Sequence, residues 1–159
     1  MRCRLRNWLC DRFCADADPT RAAIWKQSQA WEAAHSNEYE LWSTISDEQR
    51  KRLYAANAIR PNDPEAAFRI YIDMADAGVA WAMEKVGYQY AWGNFVPHDW
   101  ERAQDYFRRA IEAGSWMATL KYARLMADRG HFDVCEAVLQ DGVNADFLPA
   151  CYWLAMVSL

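Results

Sequence analysis

The sequence predicts an all-α protein, and three observations point to this class. Nine Trp, eight Tyr and six Phe supply large side chains for a core, whereas six Gly and five Pro leave few positions for the turns of a sheet. Apolar residues recur at helical spacing in several segments. One set of residues recurs 36 positions later, a period typical of stacked helix pairs. The set is Glu65, Ala67, Tyr71, Met74, Ala77, Gly78 and Ala82, which returns as Glu101, Ala103, Phe107, Ala110, Ala113, Gly114 and Ala118.

Residues 1–14 differ from the rest of the chain in charge. Four Arg against a single Asp give this segment a charge of +3, while the whole chain carries −4. Leu5, Trp8, Leu9 and Phe13 fall at helical spacing, which predicts a short basic amphipathic helix. Such a helix either caps the first repeat or lies on a membrane surface or a partner, unless the segment stays disordered.

Two or three helices are predicted before the first clear repeat. Asp18 followed by Pro19 matches an N-cap and a first helical residue. Ser46 with Gln49 three residues later matches a capping box, which begins another helix that ends near Ala58. In the first of these helices we expect one shared face of Ile24, Trp25, Ser28, Trp31 and His35.

An internal boundary is predicted at residues 60–64, where two prolines disfavour helical geometry in the residues that precede them. It separates an N-terminal helical cap region, 1–60, from a repeat region, 61–159, and we expect both to belong to one continuous domain. A chain of 159 residues fits a single domain that buries roughly two-thirds of its unfolded surface.

The two clearest copies have equivalent helix ends. Asp63 and Asp99 are N-cap candidates at the same position of the repeat. Gly78 and Gly114 follow the last turns of these helices, at positions that suit a left-handed residue. A second type of helix follows each glycine, and its small residues allow two helix backbones to approach closely. These small residues are Ala82, Gly87, Ala118 and Ala123.

The stretch from Ala82 to Ala118 resembles the Sel1-like repeat, a relative of the tetratricopeptide repeat. The resemblance is clear over residues 63–130, and Phe95 departs from it where the family usually has a second Gly. It implies a right-handed α-α superhelix, or solenoid, of helix-turn-helix units. The family serves mostly as adaptor scaffolds in protein complexes, which implies a binding role. The matching residues are Ala82, Val86, Gly87, Tyr90, Gly93, Val96, Asp99, Arg102, Ala103, Tyr106, Phe107, Arg109, Ala110, Gly114 and Ala118.

The C-terminal part, residues 118–157, is similar to a degraded further copy. Its loop is shortened around residues 129–132, and the helix near Asp133 to Asp141 is predicted to end early. Residues 147–159 then form an almost wholly apolar ending. One neighbouring helix cannot cover it, so we expect it to dock on a second copy or a larger partner, unless the natural chain continues into a further repeat.

Four tryptophans flank the consensus positions of the repeats. They are either packing residues between repeats or anchors of a binding surface, because aromatic side chains dominate protein interfaces. Arg108 lies on the helix that begins near Trp100 and supplies a charged group for hydrogen bonds to a partner. The candidate protein-binding residues are Trp81, Trp92, Trp100, Trp116, Arg108, Tyr152 and Trp153.

The cysteines form no regular disulfide framework, since three lie in residues 1–14 and two in the last quarter of the chain. Reduced thiols are the main prediction. A bridge between Cys135 and Cys151 is the alternative, and it requires an oxidising compartment. Cys3, Cys10 and Cys14 fall on one helical stripe, which is compatible with a metal or a lipid as a minor alternative.

Catalytic residues, metals and cofactors are not predicted, so we expect a protein that is not an enzyme. None of the three His lies in a nucleophile or metal motif. His131, Asp133 and Cys135 are close in sequence, but a zinc site needs a fourth ligand. A net charge of −4 gives no general attraction for nucleic acid.

The main functional prediction is therefore a non-enzymatic scaffold or adaptor that binds a protein or peptide. The alternative is a peripheral membrane or regulatory subunit that residues 1–14 tether to a membrane surface. No apolar run approaches the length of a membrane span, which makes the cytoplasm the default location.

Overall fold

A computed structural model describes residues 19–93 and 95–158, and in this part of the chain it contains helices and no strand. The predicted all-α class is confirmed. Predictions for residues 1–14, including the basic amphipathic helix and its three cysteines, lie outside the described residues. The helices are α1 (Pro19–Ala34), α2 (Glu38–Thr44), α3 (Asp47–Ile59), α4 (Pro64–Asp76), α5 (Ala80–Trp92), α6 (Trp100–Glu112), α7 (Trp116–Asp128), α8 (Phe132–Asn144) and α9 (Leu148–Ser158).

The described chain divides into two compact units. The central unit is Asn37–Ala118, and the terminal unit consists of residues 19–36 and 119–158. The boundary between them falls inside α7, after Ala118. The predicted division of the chain after residue 60 stays a prediction.

Consecutive helices pack together in the central unit: α3 on α4, α4 on α5 and α5 on α6, with α2 against α5. The predicted close approach of two helices is confirmed at Gly87. A Cβ atom there would lie 3.2 Å from the ring of Phe107 and 3.3 Å from the carbonyl oxygen of Ala103. The core of this unit includes Leu53, Ala56, Ala67, Phe68, Tyr71, Met74, Ala82, Met83, Val86, Tyr90, Ala103, Phe107, Ala110 and Ala118.

The predicted helix starts are confirmed by their cap hydrogen bonds. Ser46 and Gln49 form both hydrogen bonds of a capping box at the start of α3. Asp63 accepts a hydrogen bond from the backbone N–H of Ala66 at 2.9 Å, and Asp99 accepts the equivalent bond at 3.0 Å. Each carboxylate therefore satisfies an N–H group that has no partner inside its helix.

The predicted left-handed residues are also found. Gly78 has φ of +89° and Gly114 has φ of +86°. The residue after each glycine donates a hydrogen bond to the preceding helix. Val79 N–H donates to the Met74 carbonyl at 3.0 Å, and Ser115 N–H donates to the Ala110 carbonyl at 2.9 Å. Both turns thus have the C-terminal geometry that a residue without Cβ adopts with least strain. The helices on either side, α4 with α5 and α6 with α7, each contain 13 residues.

In the terminal unit, α8 packs against α9. The predicted shortening of the loop is confirmed, because only residues 129–131 separate the end of α7 from the start of α8. The predicted early end of the next helix is wrong, because α8 continues to Asn144 and has 13 residues. Gly142 lies inside this helix, where a Cβ atom would be 2.7 Å from the Cβ of Ala150 and 3.1 Å from Thr119. This glycine permits close packing and does not terminate the helix.

The structure describes α1 from Pro19, so the predicted N-cap Asp18 lies outside the described residues, and so do the side chains of Ile24 and Trp25 on the predicted face. His35 lies just beyond the last helical residue, and its Nδ1 is 2.8 Å from the Trp31 carbonyl oxygen. Among the side chains of α1 that the structure describes, the buried one is Glu32, which the prediction did not include and which is 2% exposed. This carboxylate can be buried because a positively charged side chain pairs with it, as described below.

Candidate functional site

The helix α9 carries no charged residue, and one of its faces is open to solvent. Leu148 is 51% exposed, Tyr152 53% and Met156 37%, and Cys151 and Ala155 are exposed beside them. Their spacing of three, four, seven and eight residues places all five on one face of a helix. These five residues are called the α9 stripe below. They form a continuous apolar surface about 12 Å long, at 1.5 Å of rise per residue.

The opposite face of α9 is buried. Ala150 is fully covered, and Trp153 is 5% exposed. The apolar ending predicted at residues 147–159 is therefore covered on one side and open on the other, over the residues that the structure describes. Of the two aromatic residues predicted here as protein-binding, Tyr152 lies on the surface and Trp153 lies in the core.

A buried charged pair holds Trp153 in place. Its indole N–H donates a hydrogen bond of 3.0 Å to the carboxylate of Glu32 on α1. The same carboxylate accepts a hydrogen bond from Arg124 on α7 and forms an ion pair with it. The Arg124 guanidinium also lies over the Trp153 ring, 4.4 Å from its centre.

These three residues fix the rotation of α9 about its axis. The side chain of Glu32 is 2% exposed and that of Arg124 is 11% exposed, so both charges are desolvated and depend on each other. A rotation of α9 that moved Trp153 outward would remove a hydrogen bond from a buried carboxylate. The cluster therefore determines that the α9 stripe faces outward.

The C-terminal end of α1 lies beside the stripe. The ring of Trp31 meets the ring of Tyr152 edge to face, with 6.0 Å between their centres. Trp31 is half-buried. The aromatic pair extends the apolar surface from α9 onto α1.

The two cysteines of this unit are free, and they differ in exposure. Cys151 lies in the α9 stripe, whereas Cys135 is buried next to a small apolar recess that Leu139 and Trp153 also line. Burial, together with the smaller effect of the nearby Glu136 and Asp128 carboxylates, raises the pKa of the Cys135 thiol to about 12. This thiol is uncharged at neutral pH and is a poor nucleophile.

Two of the predicted tryptophans lie at opposite ends of α5. The Trp81 ring contacts Tyr71 and Trp42, each with 5.9 Å between ring centres, and the Lys85 ammonium lies 4.9 Å from its centre. Trp92 is 44% exposed and lies 6.0 Å from the ring of Tyr88. Eleven residues of helix place the two tryptophans about 16 Å apart. Their rings are too far apart to contact each other.

The remaining predicted residues lie at the starts of two helices and on one exposed face. Trp100 and Trp116 are the first residues of α6 and α7, and both are half-buried. Arg108 is exposed. Its neighbour Arg109 has a structural role, since it donates a hydrogen bond of 3.2 Å to the carbonyl of Ala75 at the end of α4.

Sequence reasoning did not find the pair of Glu32 and Arg124. The two residues are 92 positions apart, and neither belongs to a repeated set. The one available signal is a glutamate in the last turn of a helix, where a negative charge is unfavourable for the helix dipole. A glutamate at this position is stabilised when a cation contacts it.

Within residues 19–93 and 95–158, no group of three His, Cys, Asp or Glu side chains is arranged to hold a metal ion. None of the helices in the same residues combines the length and the apolar character that a membrane span requires.

Comparison of the chain with models of known protein families, with curated proteins and with solved structures finds no match.

Proposed function

We propose that this protein is a non-enzymatic interaction scaffold of Sel1-like helical repeats and that the α9 stripe is a docking surface for another polypeptide. The repeat assignment is supported by paired 13-residue helices that begin 36 positions apart, with an N-cap aspartate and a left-handed glycine in equivalent places. Stacked units of this type form a right-handed superhelix.

The α9 stripe is the observation that carries the binding role. Burial of apolar surface contributes about 25 cal/mol per Å², and the stripe presents five apolar side chains with no charge that a partner must desolvate. A helix that is apolar on all sides is normally buried on all sides. The matching partner surface is an apolar face of a helix, from a second copy of this chain or from a larger protein.

Substitution of Tyr152 by Asp tests the proposal. The side chain is 53% exposed, so the variant is expected to fold, and its carboxylate would lose hydration at the centre of any interface. Light scattering on the full chain is expected to detect a dimer or larger assembly that Tyr152→Asp shifts to monomer. If the partner is another protein, affinity capture with the wild-type chain recovers it and capture with Tyr152→Asp does not.

Tyr39→Asp is the matched control, because Tyr39 is 85% exposed and lies outside the stripe. We expect this control to retain the assembly and the captured partner. A wild-type chain that stays monomeric at high micromolar concentration, and that captures the same proteins as Tyr152→Asp, would contradict the proposed role of the stripe.

A further inference from the structure

A short segment of the central unit is weakly anchored to the rest of that unit. The segment Asn37–Ile45 consists of the seven-residue helix α2 and its two cap residues, and it is called the strap below. No residue of α2 is buried, whereas α3, α4, α5 and α6 of the same unit each contain buried residues. A helix of this length is not stable alone in water, so its contacts with the unit hold it in place.

One polar residue of the strap pairs with the backbone of a repeat turn. The Asn37 amide N–H donates a hydrogen bond of 2.7 Å to the Gly114 carbonyl, and its oxygen accepts one of 3.2 Å from the Trp116 N–H. The side chain of Asn37 makes no cap hydrogen bond to α2 itself. Its carboxamide is thus used entirely in recognition of the turn.

Two apolar residues complete the contact. A Cβ atom on Gly114 would lie 3.9 Å from a methyl group of Leu41. The Trp42 ring packs edge to face against Trp81 at 5.9 Å and against Tyr54 at 5.6 Å. The strap is therefore bound through an amide, an aliphatic side chain four residues later and an aromatic one directly after it.

The surface beneath the strap is formed by equivalent parts of two repeats. It consists of residues 78–81 and residues 113–116, in which the equivalent glycines Gly78 and Gly114 lie 36 positions apart in the sequence. The strap does not fill this surface. A cavity of about 60 Å³ remains, which is room for several water molecules. Its lining includes Leu41, Trp42 and Ile45 from the strap and Val79, Trp81 and Ala113 from the repeats.

We propose that the strap is an internal ligand and that the surface beneath it binds a helical peptide from a partner. The partner peptide carries an amide residue, an aliphatic residue four positions after it and an aromatic residue five positions after it, as the strap does. Partner side chains that are larger than those of the strap fill the cavity and favour binding of the partner. The strap competes with the partner because its covalent connection gives it an effective concentration in the millimolar range. This surface belongs to the central unit, so it goes beyond the proposed role of the α9 stripe.

The test uses the full chain and a fluorescent synthetic peptide of residues 36–46. The variant Asn37→Ala/Trp42→Ala weakens the strap and leaves the surface beneath it intact. Anisotropy titration is expected to give at least tenfold tighter binding of the peptide to this variant than to the wild-type chain. A peptide that carries the same two substitutions is expected not to bind. Tyr39→Ala is the matched control, since Tyr39 is 85% exposed on the strap, and it is expected to behave as the wild-type chain.

Hydrogen exchange on the wild-type chain gives a second readout that needs no variant. The amides of α2 are expected to exchange at least tenfold faster than those of α4, α5 and α6, because the strap opens without unfolding of the unit. A folded strap variant that binds the peptide no more tightly than the wild-type chain overturns the proposal. Equal exchange rates in α2 and α4 overturn it as well. Tyr152→Asp should leave peptide binding unchanged, which separates this result from the test of the α9 stripe.

Discussion

The central and the terminal units contain the same turn built from different residues. In the central unit, Gly78 and Gly114 adopt positive φ at the helix ends. In the terminal unit, Asp146 occupies the equivalent place after α8 with φ of +60°. The hydrogen bond that closes the turn is preserved, from Phe147 N–H to the Gly142 carbonyl at 3.0 Å. The hydrogen-bond pattern and the packing of the two helices therefore hold this turn in place even where a side chain adds strain.

Two ion pairs, one in each unit, differ in burial. The Arg52–Asp73 ion pair of the central unit has side chains that are 41% and 61% exposed. In the terminal unit the Glu32–Arg124 pair is almost fully buried. A buried pair depends on both partners, because either charge alone is costly away from water. We expect the Glu32–Arg124 pair to be more sensitive to the loss of one charge than the Arg52–Asp73 pair.

The largest expected effect is that of Arg124→Ala. Removal of the cation leaves Glu32 buried with its charge uncompensated, which typically costs about 3–5 kcal/mol of the free energy of unfolding. Arg52→Ala is the matched variant in the central unit, and we expect a loss of about 0–1 kcal/mol because its pair is exposed. Urea unfolding of both variants measures the difference. Equal losses in the free energy of unfolding would show that burial does not make the Glu32–Arg124 pair more important for stability.

The second comparison concerns two glycines inside helices. Gly142→Ala places a methyl group 2.7 Å from the Ala150 Cβ, which is fixed to the backbone of α9. Overpacking of this kind costs about 1–3 kcal/mol, and the higher helix propensity of Ala offsets about 1 kcal/mol of it. At Gly87 the nearest atoms are 3.2 Å away on the Phe107 ring and 3.3 Å away on the Ala103 carbonyl oxygen, a looser contact than at Gly142, so Gly87→Ala should lower the melting temperature less. A larger shift at Gly87 would contradict this reading of the two contacts.

The smallest expected effect is an exchange of residues between the two turns. A side chain in the left-handed region costs about 1–2 kcal/mol, although Asp tolerates it better than most residues. Gly114→Asp should therefore lower the free energy of unfolding by about 1 kcal/mol, and Asp146→Gly should raise it by up to about 1 kcal/mol. Thermal unfolding of the two variants measures both signs. The same sign for both would mean that local strain does not control these turns.

Local sequence signals were sufficient for most helix boundaries. Asp63, Asp99 and Ser46 mark helix starts because a cap is a contact between neighbours in the chain. The predicted end of α8 near Asp141 was wrong; Gly142 follows directly, and a glycine at a helix end has the same appearance in a sequence as a glycine at a crossing of two helices. Only the position of α9 distinguishes them.

The candidate surfaces were predicted less completely. The apolar ending was recognised, but which half of it faces outward depends on Glu32 and Arg124, which lie far from it in sequence. The strap was not recognised, because Asn37 recognises a turn 77 residues away. No pattern of neighbouring residues contains that information.

The link between Glu32 and Trp153 has a consequence for the order in which the chain folds during synthesis. The two residues are 121 positions apart, whereas the central unit is complete when Ala118 has left the ribosome. At about 5–20 residues per second, the 35 residues from Ala118 to Trp153 take about 2–7 s to appear. During this interval α1 has been made but the indole that Glu32 binds has not. The hydrogen bond between Glu32 and Trp153 can therefore form only after the central unit has been made.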